Sequence, residues 1–212
     1  MFRDRRDAGR ALAERLLALA KEKPFVLGLQ RGGVPVAYEI AKALAAPLDV
    51  IVVRKLGAPN QPELAVGSVC LGLPEPVLYE DLIRRLAVPK RHLDAEIAAA
   101  RAEAERHNKV FREDRPFPDL AGRTVVVADD GLATGMSMKA ALEALRRLPT
   151  GRLVAAVPVA SPEGLRVLEG LADEVVCLSA PWDFMSVSGY YADFSQVSDD
   201  EVLALLKGDP AH

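Results

Sequence analysis

The chain has 212 residues, half of them apolar and 27% charged, with a formal net charge of −3 at pH 7. That is enough for one sizeable α/β domain, and the balanced charge argues against a nucleic-acid partner. No apolar run is long enough for a membrane helix, and the opening MFRDRRDAGRALAERLLALA carries acidic groups at helical spacing, unlike a signal peptide. The two cysteines, Cys70 and Cys177, sit in apolar contexts and read as reduced core thiols of a cytoplasmic protein. Three scattered histidines and no CxxC pair leave no transition-metal site to defend.

In chain order, residues 4–22 read as an amphipathic helix with Leu12, Leu16, Leu17 and Leu19 toward a core. FVLGLQ (25–30) reads as a strand, followed by the turn Arg31-Gly32-Gly33-Val34-Pro35 and a helix to about residue 45. LDVIVV (48–53) and LAVGSVCL (64–71) are further strands, and PVLY (76–79) pairs locally with the second of them. Residues 89–111 form a long helix inside a helical insertion over about 72–121, closed by Pro116 and Pro118. A strand at 123–129, a helix from Met136, a strand at 152–161, a helix at 162–171, a strand at 174–179 and a helix at 199–207 complete the chain. The alternation predicts a doubly wound parallel sheet flanked by helices, in one domain spanning 1–212. In such sheets ligands lie at the carboxyl ends of the strands, where both glycine-rich turns fall.

The most informative segment is VVVADDGLATGMSMKAAL (125–142): a buried strand, two adjacent carboxylates, a small-residue turn and a helix. The backbone N–H groups of the turn, the Thr134 and Ser137 hydroxyls and the helix N-terminus can converge on one anion. Asp129 and Asp130 would repel a bare anion, so they need hydroxyls or a cation to face. A sugar phosphate meets both demands. A second segment, GLQRGGVPVA (28–37), offers a fixed positive charge at Arg31 and two glycines free to bring backbone close to a ligand.

Together these segments resemble the signature of the type I phosphoribosyltransferases. The resemblance implies that Asp129 and Asp130 hold the ribose hydroxyls of phosphoribosyl pyrophosphate (PRPP). It assigns the 5-phosphate to Gly131, Leu132, Ala133, Thr134, Gly135, Met136 and Ser137. Gln30, Arg31, Gly32 and Gly33 become the pyrophosphate loop, with a non-proline cis bond at Gln30–Arg31. Arg54 and Lys55 would neutralise departing pyrophosphate, and residues 56–69 would be a mobile lid. Residues 181–198 resemble the hood of purine-type members, with Trp182 stacking on the acceptor base and Phe184 and Asp183 (or Asp193) beside it. The same aromatic residues suit a small core or a dimer contact, so a homodimer stays open.

The implied reaction is phosphoribosyl transfer from PRPP to a nitrogen acceptor, a purine-like nucleobase being favoured, with release of pyrophosphate. Mg²⁺ would act as cofactor, held mainly through PRPP and by Asp129 or Asp130. No nucleic acid or membrane is expected as partner. Two other classes stand beside this one: a non-catalytic regulator that keeps the PRPP pocket, and a phosphosugar hydrolase or isomerase with its own use for the paired carboxylates.

Overall fold

A computed structural model of the chain describes residues 1–208 except 71, 72, 74 and 114. The predicted strand end at 71 and the insertion boundary at 72 therefore lie outside the described residues. The strands are β1 (Phe25–Leu29), β2 (Leu48–Ile51), β3 (Val53–Ala58), β4 (Gln61–Cys70), β5 (Val77–Leu78), β6 (Val125–Ala128), β7 (Leu153–Val159) and β8 (Glu174–Ser179). The helices are α1 (Arg5–Leu16), α2 (Gly33–Leu44), α3 (Glu80–Arg85), α4 (Lys90–Arg112), α5 (Met136–Leu145), α6 (Pro162–Arg166) and α7 (Asp199–Lys207).

Five strands form a parallel sheet in the order β2-β1-β6-β7-β8. β1, β6 and β7 are buried along their whole length, as their unbroken apolar runs require of strands covered on both faces. α1, α2 and α7 pack one face through Leu12, Leu16, Val36, Ile40, Val202 and Leu206, against Val26, Val50 and Val126. α5 covers the other face through Met138, Ala141, Leu142 and Leu145, against Leu27, Val127 and Ala155. The chain runs outward from β1 to β2, then crosses back to β6 and continues to β8, so the strand order reverses between β1 and β6. Their register pairs Leu27 with Val127 and Gly28 with Ala128, and the same offset sets Leu29 level with Asp129 and Gln30 level with Asp130 at the carboxyl edge. That edge is where doubly wound sheets bind ligands.

The predicted strand 48–53 is two elements. β2 ends at Ile51, and β3 leaves the parallel sheet to start a second, antiparallel sheet in the order β3-β4-β5. Residues 56–69, expected as a lid running into the strand at 64–71, are the heart of this hairpin. Gly57, Pro59 and Pro62 misled the reading because the tip is irregular: register shifts fall on both sides of Gly57, and Asn60 takes φ 61° at the turn. Proline is tolerated beside such bulges. The pairing of 76–79 with the preceding strand is present as Gly67 with Leu78 and Ser68 with Val77.

The insertion builds a satellite core. Ala100 of α4 packs with Leu56, Val66 and Val69 of the hairpin, and Leu82, Ile83, Leu93 and Ile97 close around them. α4 is also pinned to the main sheet by Arg112, only 1% exposed, whose Nε donates to both Asp49 oxygens at 3.0 Å and whose Nη2 donates to the Val50 carbonyl at 2.6 Å. α3, which periodicity did not reveal, has no buried residue and so leaves no pattern in the sequence. The helix expected at 162–171 stops at Arg166 and continues as turns, with Gly170 at φ 76°.

Candidate active site

The site is built on the two loops that leave β1 and β6. A cis peptide joins Gln30 and Arg31, as the resemblance implied. Gly33 starts α2 directly against the end of β6, where a Cβ would run into the Ala128 carbonyl and the Asp129 backbone. Only glycine fits this crossing, and it fuses the two loops into one surface. Gly32 lies equally close to the Asp130 carboxylate.

From Asp129 onward the chain forms an open cradle of about 200 Å³ whose walls are Asp129 and residues 131–138, with Val187 above. Gly135 sits at φ 71° with its α-carbon against Gly164 of α6, where any side chain would clash. No side chain caps α5, so the N–H groups of its first turn remain for a ligand. Thr134 and Ser137 are exposed at the mouth. The loop is braced from below: the Ser161 hydroxyl donates to the Ala133 carbonyl at 2.5 Å, and Leu132 N–H donates to the Val159 carbonyl at 2.9 Å. The 5-phosphate residues read from the sequence therefore come together around one anion-sized hollow.

The two carboxylates are not equivalent. Asp130 is held by Arg5 of α1, Nε to Oδ2 at 2.7 Å, with side-chain exposures of only 11% for Arg5 and 15% for Asp130. Asp129 makes no ion pair among the described residues; its Oδ1 accepts from the Asp130 N–H at 2.9 Å. Burial pushes both carboxyl groups above the usual carboxylate range, Asp129 further because the Asp130 charge adds to the effect. The Arg5 guanidinium opposes the rise at Asp130. Arg5 also donates to the Ser195 carbonyl at 2.7 Å and lies 3.9 Å over the Phe194 ring. The Tyr191 hydroxyl donates to the Asp130 carbonyl at 2.6 Å. The acidic pair is thus tied to the 181–198 segment, which pairs in turn with the first residues of the chain through Phe2 and Tyr191.

Arg54 and Lys55, each a candidate for the departing pyrophosphate, lie at the start of β3 and diverge. Arg54 turns to the pyrophosphate loop, its Nη2 3.4 Å from Gln30 Oε1 and 3.0 Å from Glu103 of α4. Lys55 lines a separate cavity of about 950 Å³ between the hairpin, α3 and α5, shared with Tyr79, Thr134, Met136 and Lys139. Arg31 faces Asp199 at 3.4 Å.

The proposed acceptor residues lie apart from the cradle. Trp182 is 90% exposed, and Asp183 is exposed beside it. Phe184 is stacked on Tyr190, with ring centroids 5.7 Å apart. Asp193 accepts from the Ser195 N–H at 2.9 Å, which holds its carboxyl below the usual range. The hood residue nearest the cradle is Val187, whose methyls sit where a Cβ on Gly131 would be.

The model of the phosphoribosyl transferase domain family matches residues 77–194, more than half of the chain. The chain belongs to this family. A crystal structure of the Thermus thermophilus protein TT1426 superposes with a TM-score of 0.87 at 47% identity, covering 97% of each chain. Proteins from two Mycobacterium tuberculosis strains, provisionally named phosphoribosyl transferases, are 46% identical over all 212 residues. The chain spans 47% of their length, about half. A bifunctional protein PyrR of Roseiflexus is 36% identical over 123 residues, 55% of this chain and 58% of that protein. The matched phosphoribosyl transferase segment carries the acidic pair, the cradle at 131–138 and α4, and it begins after the Gln30–Gly33 loop and Arg54.

Sequence reasoning missed Arg5, Val187 and the α4 residues beside Arg54. Arg5 lies in a helix whose other features suggest only packing. The α4 residues stand in a run of alternating charge, which reads as a solvated helix face.

Proposed function

We propose that the protein transfers the phosphoribosyl group of PRPP to a nitrogen acceptor, a purine-like nucleobase, releasing pyrophosphate. The observation that carries this reading is the fusion of two anion-binding loops at the reversal of strand order, with Asp129 and Asp130 between them. A ligand with a phosphate at one end, a diol in the middle and a diphosphate at the other matches that sequence of groups. The cradle at 131–137 takes the 5-phosphate, Asp129 and Asp130 face the ribose hydroxyls, and Gln30–Gly33 with Arg54 take the diphosphate.

Among the described residues no three His, Cys, Asp or Glu side chains are grouped as a metal cage. Mg²⁺ suits such a site, because it keeps substrate phosphates and one or two carboxylates as ligands; Asp129, without an ion pair, is the carboxylate open to it. When bound, it supplies positive charge against the developing charge of the leaving diphosphate. Arg31 and Arg54 add fixed charge at the same end, and no side-chain nucleophile is required because positioning and electrostatics suffice. The segment 181–198 serves as the hood, with Trp182, Asp183 and Phe184 meeting the acceptor. Cys70 and Cys177, which form no disulfide with each other, suit a reducing cytoplasm. No helix of the described residues is long and apolar enough to cross a membrane.

The test is titration calorimetry of Asp129→Asn combined with Asp130→Asn. PRPP with Mg²⁺ binds the parent and is weakened in the double variant, while inorganic phosphate binds both alike because it needs only the cradle. Unchanged PRPP affinity in the double variant removes the assignment. Release of pyrophosphate with a nucleobase separates an enzyme from a regulator that merely senses PRPP.

A further inference from the structure

We propose that α4 completes the diphosphate-binding half of this site, with Arg106 as a further phosphate-binding residue beside Arg54; this rests on the PRPP reading above. Beside the pyrophosphate loop lies a polar cavity of about 360 Å³. Gln30 and Arg31 form one wall, Arg54 enters from β3, and Glu103, Arg106 and His107 of α4 form the opposite wall. Asp199 of α7 closes one side.

Three guanidinium groups thus face two carboxylates. Arg31 pairs with Asp199 at 3.4 Å, and Arg54 with Glu103 at 3.0 Å. Arg106 makes no ion pair among the described residues; its Nη2 lies 3.1 Å from His107 Nε2. Arg54 Nε is buried and has no hydrogen-bond partner among the described residues, although a guanidinium N–H shut away from water ordinarily has one. The cavity therefore carries one more cation than anion, Arg106 being the exposed guanidinium without a carboxylate partner among the described residues.

His107 connects these groups. It is 4% exposed and lies flat on Phe111, ring centroids 5.6 Å apart and planes 3° from parallel. Arg54 Nη2 stands 3.2 Å from its Nδ1. Burial, then the charges of Arg54 and Arg106, hold the imidazole below its ordinary pKa, so it is neutral and offers one acceptor nitrogen, to Arg54 or to Arg106 according to its tautomer. A charged imidazole would repel both. Nothing apolar on the walls suits a base or a lipid chain. The matching ligand is a multiply charged oxyanion longer than one phosphate, reaching from the Arg31 loop to α4. In the absence of such a ligand Glu103 occupies Arg54, and an incoming diphosphate takes its place.

Calorimetry with inorganic pyrophosphate, PRPP and ribose 5-phosphate, each with Mg²⁺, tests this. Loss of one charge-assisted contact in Arg106→Ala weakens pyrophosphate and PRPP by about tenfold and leaves ribose 5-phosphate unchanged. Glu103→Gln acts in the opposite direction and tightens pyrophosphate several-fold, because the competing carboxylate is gone. Lys109→Ala removes the same charge three residues along α4 and changes none of the three. Arg106→Ala binding pyrophosphate as the parent does overturns the role of α4 and leaves the PRPP site standing. An equal loss in Lys109→Ala overturns it too, since the effect is then one of net charge. A parent protein that binds neither pyrophosphate nor PRPP overturns the reading beneath.

Discussion

Arg5 occupies a position from which one side chain governs two parts of the site. Its guanidinium neutralises Asp130, braces the Ser195 carbonyl and covers the Phe194 ring. Truncating one partner of a nearly buried ion pair leaves the other as an uncompensated charge, which costs about 3 kcal/mol or more. Arg5→Ala is therefore expected to lower stability by about that amount in urea denaturation. Adding Asp130→Asn to that variant is expected to recover most of the loss, since no buried charge then remains, and a double-mutant cycle reads the coupling directly. Additive losses would mean that Arg5 acts through Phe194 packing alone. The acidic pair and the cradle were legible in the sequence because they are contiguous: strand, carboxylates, small residues and helix follow one another between 125 and 142. Arg5 was not legible because its partner is 125 positions away and nothing local marks it.

The elements around Arg31, Arg54 and α4 were read less well than those around residues 129–137. The parallel strands announce themselves by apolar runs, and α4 by helical spacing over 89–111. The β3–β4 hairpin did so only in part: 64–71 reads as a strand, whereas the tip, with Gly57, Pro59 and Pro62 at a register shift, looks like loop from the sequence alone. The role of α4 depends on its attachment at Arg112. Removing the carboxylate in Asp49→Ala strands a guanidinium that is 1% exposed and whose Nη1 already lacks a hydrogen-bond partner. The expected cost is about 3 kcal/mol, by the same penalty for an unpaired buried charge. Hydrogen exchange is the second measurement: amides of α4 between His107 and Arg112 should lose protection before those of β1 and β6. Uniform loss of protection across the sheet would show that α4 does not open separately.

At the scale of the whole molecule, the strand order decided more than any single motif. Two glycine-rich loops distant in sequence become one surface because β1 and β6 are neighbours where the strand order reverses. Alternation of strands and helices foretold that much. The hood is a different matter. Its aromatic residues are conspicuous in composition, yet the segment is held by Phe2, Arg5, Tyr191 and Phe194, and Trp182 stands 90% exposed with no ring against it among the described residues. A side chain so placed contributes little to folding, so Trp182→Ala is expected to leave stability within about 0.5 kcal/mol of the parent. An exposed indole with a free face is also what a base can stack on, a contact worth roughly 1–3 kcal/mol by truncation. The same substitution is therefore expected to raise the acceptor's KM by about tenfold or more while PRPP affinity holds. Trp182 is the sole tryptophan, so its fluorescence reports the contact without a label: a purine nucleotide should quench it, and PRPP alone should not. Fluorescence indifferent to every nucleotide, with KM unchanged in Trp182→Ala, would remove Trp182 from the acceptor site and leave Val187, which stands over Gly131, as the hood residue nearest the reacting sugar.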